Sequence, residues 1–118
     1  YHKGNAQLEI GKLEEAVEAY EDVLELEGAS LDLRLYSLIN LAHCKERLGD
    51  PYEAKRCLLE ALGKSRQGGW IMLRLAALDA NQGNFTGARN WKERAREEFL
   101  EKNDIYGLSK LSEILKGI

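Results

Sequence analysis

The sequence predicts an all-α protein made of stacked antiparallel helix pairs and closed by a terminal helix. Three observations carry that expectation. One proline, two Phe and two Trp in 118 residues suit helices better than a sandwich of strands, which needs many turns and aromatic residues. Apolar residues recur at spacings of three and four along most of the chain. A glycine is followed five residues later by an alanine three times over: Gly11 and Ala16, Gly49 and Ala54, Gly83 and Ala88.

The second and third alanines are 34 residues apart and the first and second 38, so the first connection is the longer one. Each glycine is expected to end one helix in the left-handed conformation of a tight turn. Each alanine should sit where two helices cross closely. A second small residue belongs seven positions before each glycine, at Gly4, Ala42 and Ala76.

In chain order, the first pair is expected over 1–29, with Ala16, Tyr20, Val23 and Leu24 on one face of its second helix. The second pair is expected over 30–67. Leu35, Leu38, Leu41, Ala42 and Leu48 point inward from its first helix, and Ala54, Cys57, Leu58, Ala61 and Leu62 from its second. Asp50-Pro51-Tyr52-Glu53 is a strong start signal for that second helix, combining a capping side chain, proline at the first helical position and an acid in the first turn. Gly68-Gly69 is read as a break before Trp70 and the third pair, 68–102. That pair buries Leu73, Ala76, Ala77 and Ala80 from one helix and Ala88, Trp91, Ala95 and Phe99 from the other. Asp104 caps a last helix, 104–118, with Ile105, Leu108, Leu111, Leu115 and Ile118 on one side. It reads as a lid over the third pair, or equally as the first helix of a fourth. The whole, 1–118, is expected to form one domain.

Composition narrows the function. Hydrophobic residues at 44% and charged residues at 31% describe a globular chain. Seventeen basic against 20 acidic residues, net −3, is not the basic surplus that drives phosphate binding, so no nucleic-acid partner is expected. No apolar run reaches the length of a bilayer span and no signal peptide opens the chain, so no membrane insertion is expected and the default compartment is the cytoplasm. Tyr1 already falls within a helical pattern, so the chain reads as part of a longer protein. Cys44 and Cys57 read as small buried hydrophobes. With His2 and His43 they lack zinc-ligand spacing, so neither metal nor cofactor is expected.

The register of small residue, glycine, alanine five later, and aromatic or leucine nine after the glycine resembles the tetratricopeptide repeat family. Tyr20 and Leu58 fill that last place, while the third repeat has Lys92, with Trp91 beside it. The sequence departs from the family at Pro51, where an aromatic is usual. The resemblance implies a right-handed superhelix (an α-solenoid) whose first helices line a concave groove that holds an extended peptide or a partner helix. It places the contact residues on those inner helices: Asn5, Asn40, Lys45, Trp70 and Arg74. Some family members grip the acidic tails of chaperones with a clamp of lysine, arginine and asparagine. Of its five places, Asn5, Asn40 and Arg74 match here, and Tyr1 and Trp70 stand where the lysines belong.

Other candidates read as solvated faces. Glu14, Glu15, Glu18, Glu21 and Asp22 form an acidic run, and Arg89, Lys92, Arg94 and Arg96 are interleaved with Glu93, Glu97 and Glu98 in the pattern of helical ion pairs. No phosphate loop, His-Glu-x-x-His motif or nucleophile elbow is present, so no enzyme is expected. The reading is an interaction scaffold that binds another protein. Its rival is a ligand- or peptide-sensing segment of a larger bacterial regulator, suggested by the long first linker and the run Ala61-Leu62-Gly63-Lys64-Ser65.

Overall fold

The computed structural model describes the backbone of residues 2–66 and 68–118, and the side chains of 9–66 and 68–118. The described residues form six helices and no strands: α1 (His2–Glu25), α2 (Leu31–Arg47), α3 (Pro51–Lys64), α4 (Gly68–Asn81), α5 (Phe85–Glu101) and α6 (Ile105–Ile114). They divide into two compact units, Tyr1–Lys64 and Ser65–Ile118.

In the first unit α1 packs on α2 and α2 on α3. Glu9 pairs with Arg47 at 3.5 Å, and the rings of Tyr20 and Tyr36 meet edge to face at 6.2 Å, so α1 and α2 run antiparallel. The Arg34 guanidinium donates to the carbonyls of Leu24, Leu26 and Ala29, satisfying the open C-terminal end of α1 across the longer linker. Val17, Leu38, Leu41, Ala42, Ala54, Cys57, Leu58 and Ala61 are buried, and the acidic run on α1 is exposed.

The turns into α3, α5 and α6 share one construction. Gly49 and Gly83 lie at φ 86 and 79, and Asn103 takes the same place at φ 55. Asp50, Asn84 and Asp104 follow. The backbone N–H of each donates to a carbonyl of the helix just ended, on Lys45, Asp79 and Phe99 respectively, at 2.8 Å in all three. Each side chain also accepts from the first turn of the next helix: Glu53 N at 3.2 Å, Gly87 N at 3.1 Å and Gly107 N at 2.8 Å. One residue thus closes one helix and caps the next.

Gly11 does not behave this way. α1 runs unbroken through it, so six helices stand where three pairs and a closing helix require seven. The physical reason lies in the next residue: Lys12 carries no side-chain acceptor where Asp50 and Asn84 do. An uncapped helix interior tolerates one glycine at a cost of about 1 kcal/mol.

In the second unit α4 and α5 form an antiparallel pair, and α6 packs on α5 and, less extensively, on α4. Leu73, Ala76, Ala95, Phe99, Leu111 and Leu115 make the core, with Trp70, Trp91 and Leu108 packed against it. Gly68 and Gly69 are not a break. They open α4, buried, because a Cβ on Gly69 would lie 2.6 Å from the Phe99 ring. A Cβ on Gly107 of α6 would lie 2.5 Å from the same ring, so two helices close on Phe99 through two glycines. Lys92, the departure from the repeat pattern, donates to the carbonyls of Leu115 and Ile118 at 3.3 and 2.8 Å, while Trp91 takes the apolar place.

One expectation about α6 needs correction. Ile105 is 79% exposed, because it opens the helix ahead of the turn that faces Phe99. Gly117, at φ 88, stands 34 residues after Gly83, so α6 keeps the phase of α2 and α4. Lys110 occupies the place where Ala42 and Ala76 are buried, so the close crossing of those helices is not repeated.

Candidate functional site

The second unit carries a recess on the face of α4 that the sequence singles out. A groove of about 270 Å³ is lined by Trp70, Leu73, Arg74 and Ala77 of α4 and Ile114 of α6. Trp70 and Arg74, four residues apart, fall on one helical face, as the sequence predicts. Trp70 is half-buried, its ring edge-on to Phe99 at 5.3 Å and tilted against Tyr106 at 5.7 Å. Two rings thus hold the indole, which also lines the groove. A lysine at this position could not supply that contact. A second cleft, about 340 Å³, is lined by Trp70 together with Gly69, Glu98, Phe99, Lys102 and Asp104. Its cation is already engaged: Lys102 pairs with Glu98 at 2.8 Å and donates to the Arg66 carbonyl. Arg74 is exposed, and no carboxylate among the described residues pairs with it.

The remaining candidates lie on the first unit. Asn40 is half-buried and its Nδ2 donates to the Tyr36 carbonyl at 2.8 Å, so one amide hydrogen is committed to its own helix. Lys45 lies five residues on, about 140° around α2, which separates it from the Asn40 face. The side chain of Asn5 lies outside the described residues. Asn40 and Lys45 therefore do not converge, whereas Trp70 and Arg74 do.

One repetition was hidden in the sequence. Tyr36 and Asn40 of α2 stand 34 residues before Trp70 and Arg74 of α4, so both helices present an aromatic ring and a polar group one turn apart. The sequence reading also missed Tyr106, Lys110 and Ile114, a stripe of one residue per turn along α6. Writing α6 beneath α4 would have shown it.

Cys44 and Cys57 are buried free thiols, and burial pushes the Cys57 thiol above its ordinary range, disfavouring the nucleophilic thiolate. The buried Asp79 carboxylate lies against Gly87 in the first turn of α5, where the helix N-terminus favours negative charge. Among the described residues no group of three or more His, Cys, Asp or Glu is placed to hold a metal. Nor, among them, is any helix long and apolar enough to cross a membrane.

The tetratricopeptide repeat model matches residues 1–30 and 35–63, together half of the chain. The chain belongs to the tetratricopeptide repeat family. Both matches fall in the first unit, and the α4–α5 pair extends the same glycine and alanine register beyond them. No curated protein matches the chain. Tetratricopeptide repeats are protein–protein interaction modules, generally without catalytic activity, and this chain is in that sense an interaction module.

Proposed function

We propose that this tetratricopeptide repeat chain is a scaffold that docks a peptide or helix of another protein against the groove between α4 and α6. The observation that supports it is Trp70: a large ring, half-buried and held by Phe99 and Tyr106, beside an exposed guanidinium that no carboxylate among the described residues neutralises. Anchored aromatics and arginines are the residues that most often dominate binding energy. The ring is fixed before a partner arrives, so little further ordering opposes binding. Asn40, with Tyr36, is a second contact surface, on the first unit.

The test is capture of a partner by the wild-type chain and by the Arg74→Ala variant, followed by NMR mapping of the captured segment. The expected result is weaker capture by the variant and shifts centred on Trp70, Leu73 and Ile114. Equal capture, with shifts confined to other helices, would remove the groove from the function.

A further inference from the structure

We infer that the cleft where α4, α5 and α6 meet is a site for an organic cation, an ammonium or guanidinium group on a short apolar stem. Its charge is held by Glu98 and Asp104, and its stem lies against Trp70 and Phe99. The cleft shares only Trp70 with the groove between α4 and α6, so the inference stands apart from the functional reading above.

Three helix ends build the site. The first turn of α4 supplies Gly69 and Trp70, the last turn of α5 supplies Glu98 and Phe99 with Lys102 at its cap, and Asp104 caps α6. Two rings form the apolar wall, Trp70 edge-on to Phe99 at 5.3 Å. Aromatic rings attract cations through the negative face of the π-system. The structure shows that preference elsewhere: Arg94 lies 4.6 Å from the centre of the Trp91 ring and Lys110 5.6 Å from that of Tyr106. No cation among the described residues lies over Trp70.

The polar side of the cleft carries two carboxylates against one ammonium. Asp104 gives Oδ1 to the Gly107 N–H and Glu98 gives Oε1 to Lys102, both at 2.8 Å. Their other oxygens, Oδ2 and Oε2, have no partner among the described residues. Lys102 itself shows that an ammonium fits at this mouth, since it lies on Glu98 and donates to the Arg66 carbonyl. Its side chain is about half exposed, so that pairing is weak and a second cation can share or take its place. The size agrees, because about 340 Å³ is at the small end of ligand pockets and gives room for one guest the size of a side chain. The first turn of α4 has the opposite preference, since a helix N-terminus favours an anion. That end carries about half a unit charge against the full unit of the lining, and an anionic probe tests the balance.

The probes are n-butylammonium and n-butylguanidinium, with n-butanol as the neutral analogue and butyrate as the anion. Binding is read from the Trp70 indole N–H and the backbone amides of Gly69 and Gly107 in NMR titrations. Both cations are expected to bind at least roughly tenfold tighter than butanol, and Glu98→Gln or Asp104→Asn to remove most of that margin. The Asp104→Asn change keeps an oxygen for the Gly107 N–H, and circular dichroism checks that the helices are intact. Lys102→Met vacates the resident ammonium and should raise affinity for both cations about two- to fivefold. Butyrate or butanol binding as tightly as the cations would overturn the charge assignment, as would weaker cation binding in Lys102→Met. No shift at Gly69 and Trp70 with either cation would remove the site, whatever the groove between α4 and α6 does. Two blocked tripeptides, with lysine or arginine between glycines, then identify the source. If they bind tighter than the free cations the guest is a side chain of another protein, and if weaker it is a free amine or guanidine; either order upholds the cation site.

Discussion

Gly11 and Gly49 occupy the same place in the repeat register, five residues before an alanine, yet one lies inside a helix of 24 residues and the other ends a helix at φ 86. The difference is carried by the following residue. Asp50 accepts from Glu53 N through its carboxylate while its own N–H reaches back to Lys45, so a single side chain serves two helix ends. Asn84 does the same after Gly83. Lys12 can donate but not accept, and a turn at Gly11 would leave the N–H groups of a new helix unsatisfied. Glycine permits the turn and the acceptor beside it secures it. The turn into α6 makes the point from the other side, because Asn103 serves in place of glycine when Asp104 follows.

The largest test transplants the turn. Lys12→Asp with Leu13→Pro copies Asp50-Pro51 onto α1. Proline in a helix interior removes a hydrogen bond and clashes with the preceding turn, so the double variant should lose about 3 kcal/mol or more in urea unfolding. Amides from Ala16 to Leu24 should stay protected from exchange, while those before Lys12 lose protection. An unchanged midpoint would mean that α1 already bends at Gly11. Next in size is the reverse operation on the genuine turns. Gly49→Ala and Gly83→Ala each place a Cβ in the left-handed region, at a cost of about 1–2 kcal/mol, although both positions face open space. Loss without any steric neighbour would show that backbone conformation, not packing, selects glycine there.

How far the chain is legible follows from the same logic. Periodicity and the small-residue register correctly gave the all-helical fold, the α2–α3 and α4–α5 pairs, and the burial of Ala42, Ala54, Ala76 and Ala88. They failed at Gly11, where the register was read without asking for an acceptor. They failed again at Gly68 and Gly69, where two glycines look like a break but one of them makes room for the Phe99 ring, a contact 30 residues away that no local pattern encodes. For the site, helical spacing was enough to bring Trp70 and Arg74 together. It could not show that Asn40 turns back onto Tyr36, nor that Tyr106 and Lys110 stand alongside. The placing of Tyr106 and Lys110 depends on how α6 docks, which follows from the glycine at 107 and the ring it meets.

Removal of the capping acceptor alone should have a smaller effect than strain at the glycine. Asp50→Ala and Asn84→Ala each leave an N–H of the next helix open and should cost about 1 kcal/mol. Asp50→Asn should restore most of it, since an amide oxygen accepts equally well. If the alanine variants match wild type in thermal unfolding, the acceptor is not what separates these turns from Gly11.

The smallest effect carries the opposite sign. Gly11 has nothing within 4 Å of the position its Cβ would take and no left-handed φ, so alanine fits there without strain. Alanine also restricts the unfolded chain and has the best helix propensity, so Gly11→Ala should stabilise the protein by somewhat less than about 1 kcal/mol. The same substitution at Gly49 should destabilise it. Two chemically identical replacements at equivalent places in the repeat would then move the urea midpoint in opposite directions, because in one the backbone is helical and in the other it is not. A loss of stability at Gly11 comparable to that at Gly49 would instead require a left-handed turn there, with residues 1–10 folded back as a separate helix.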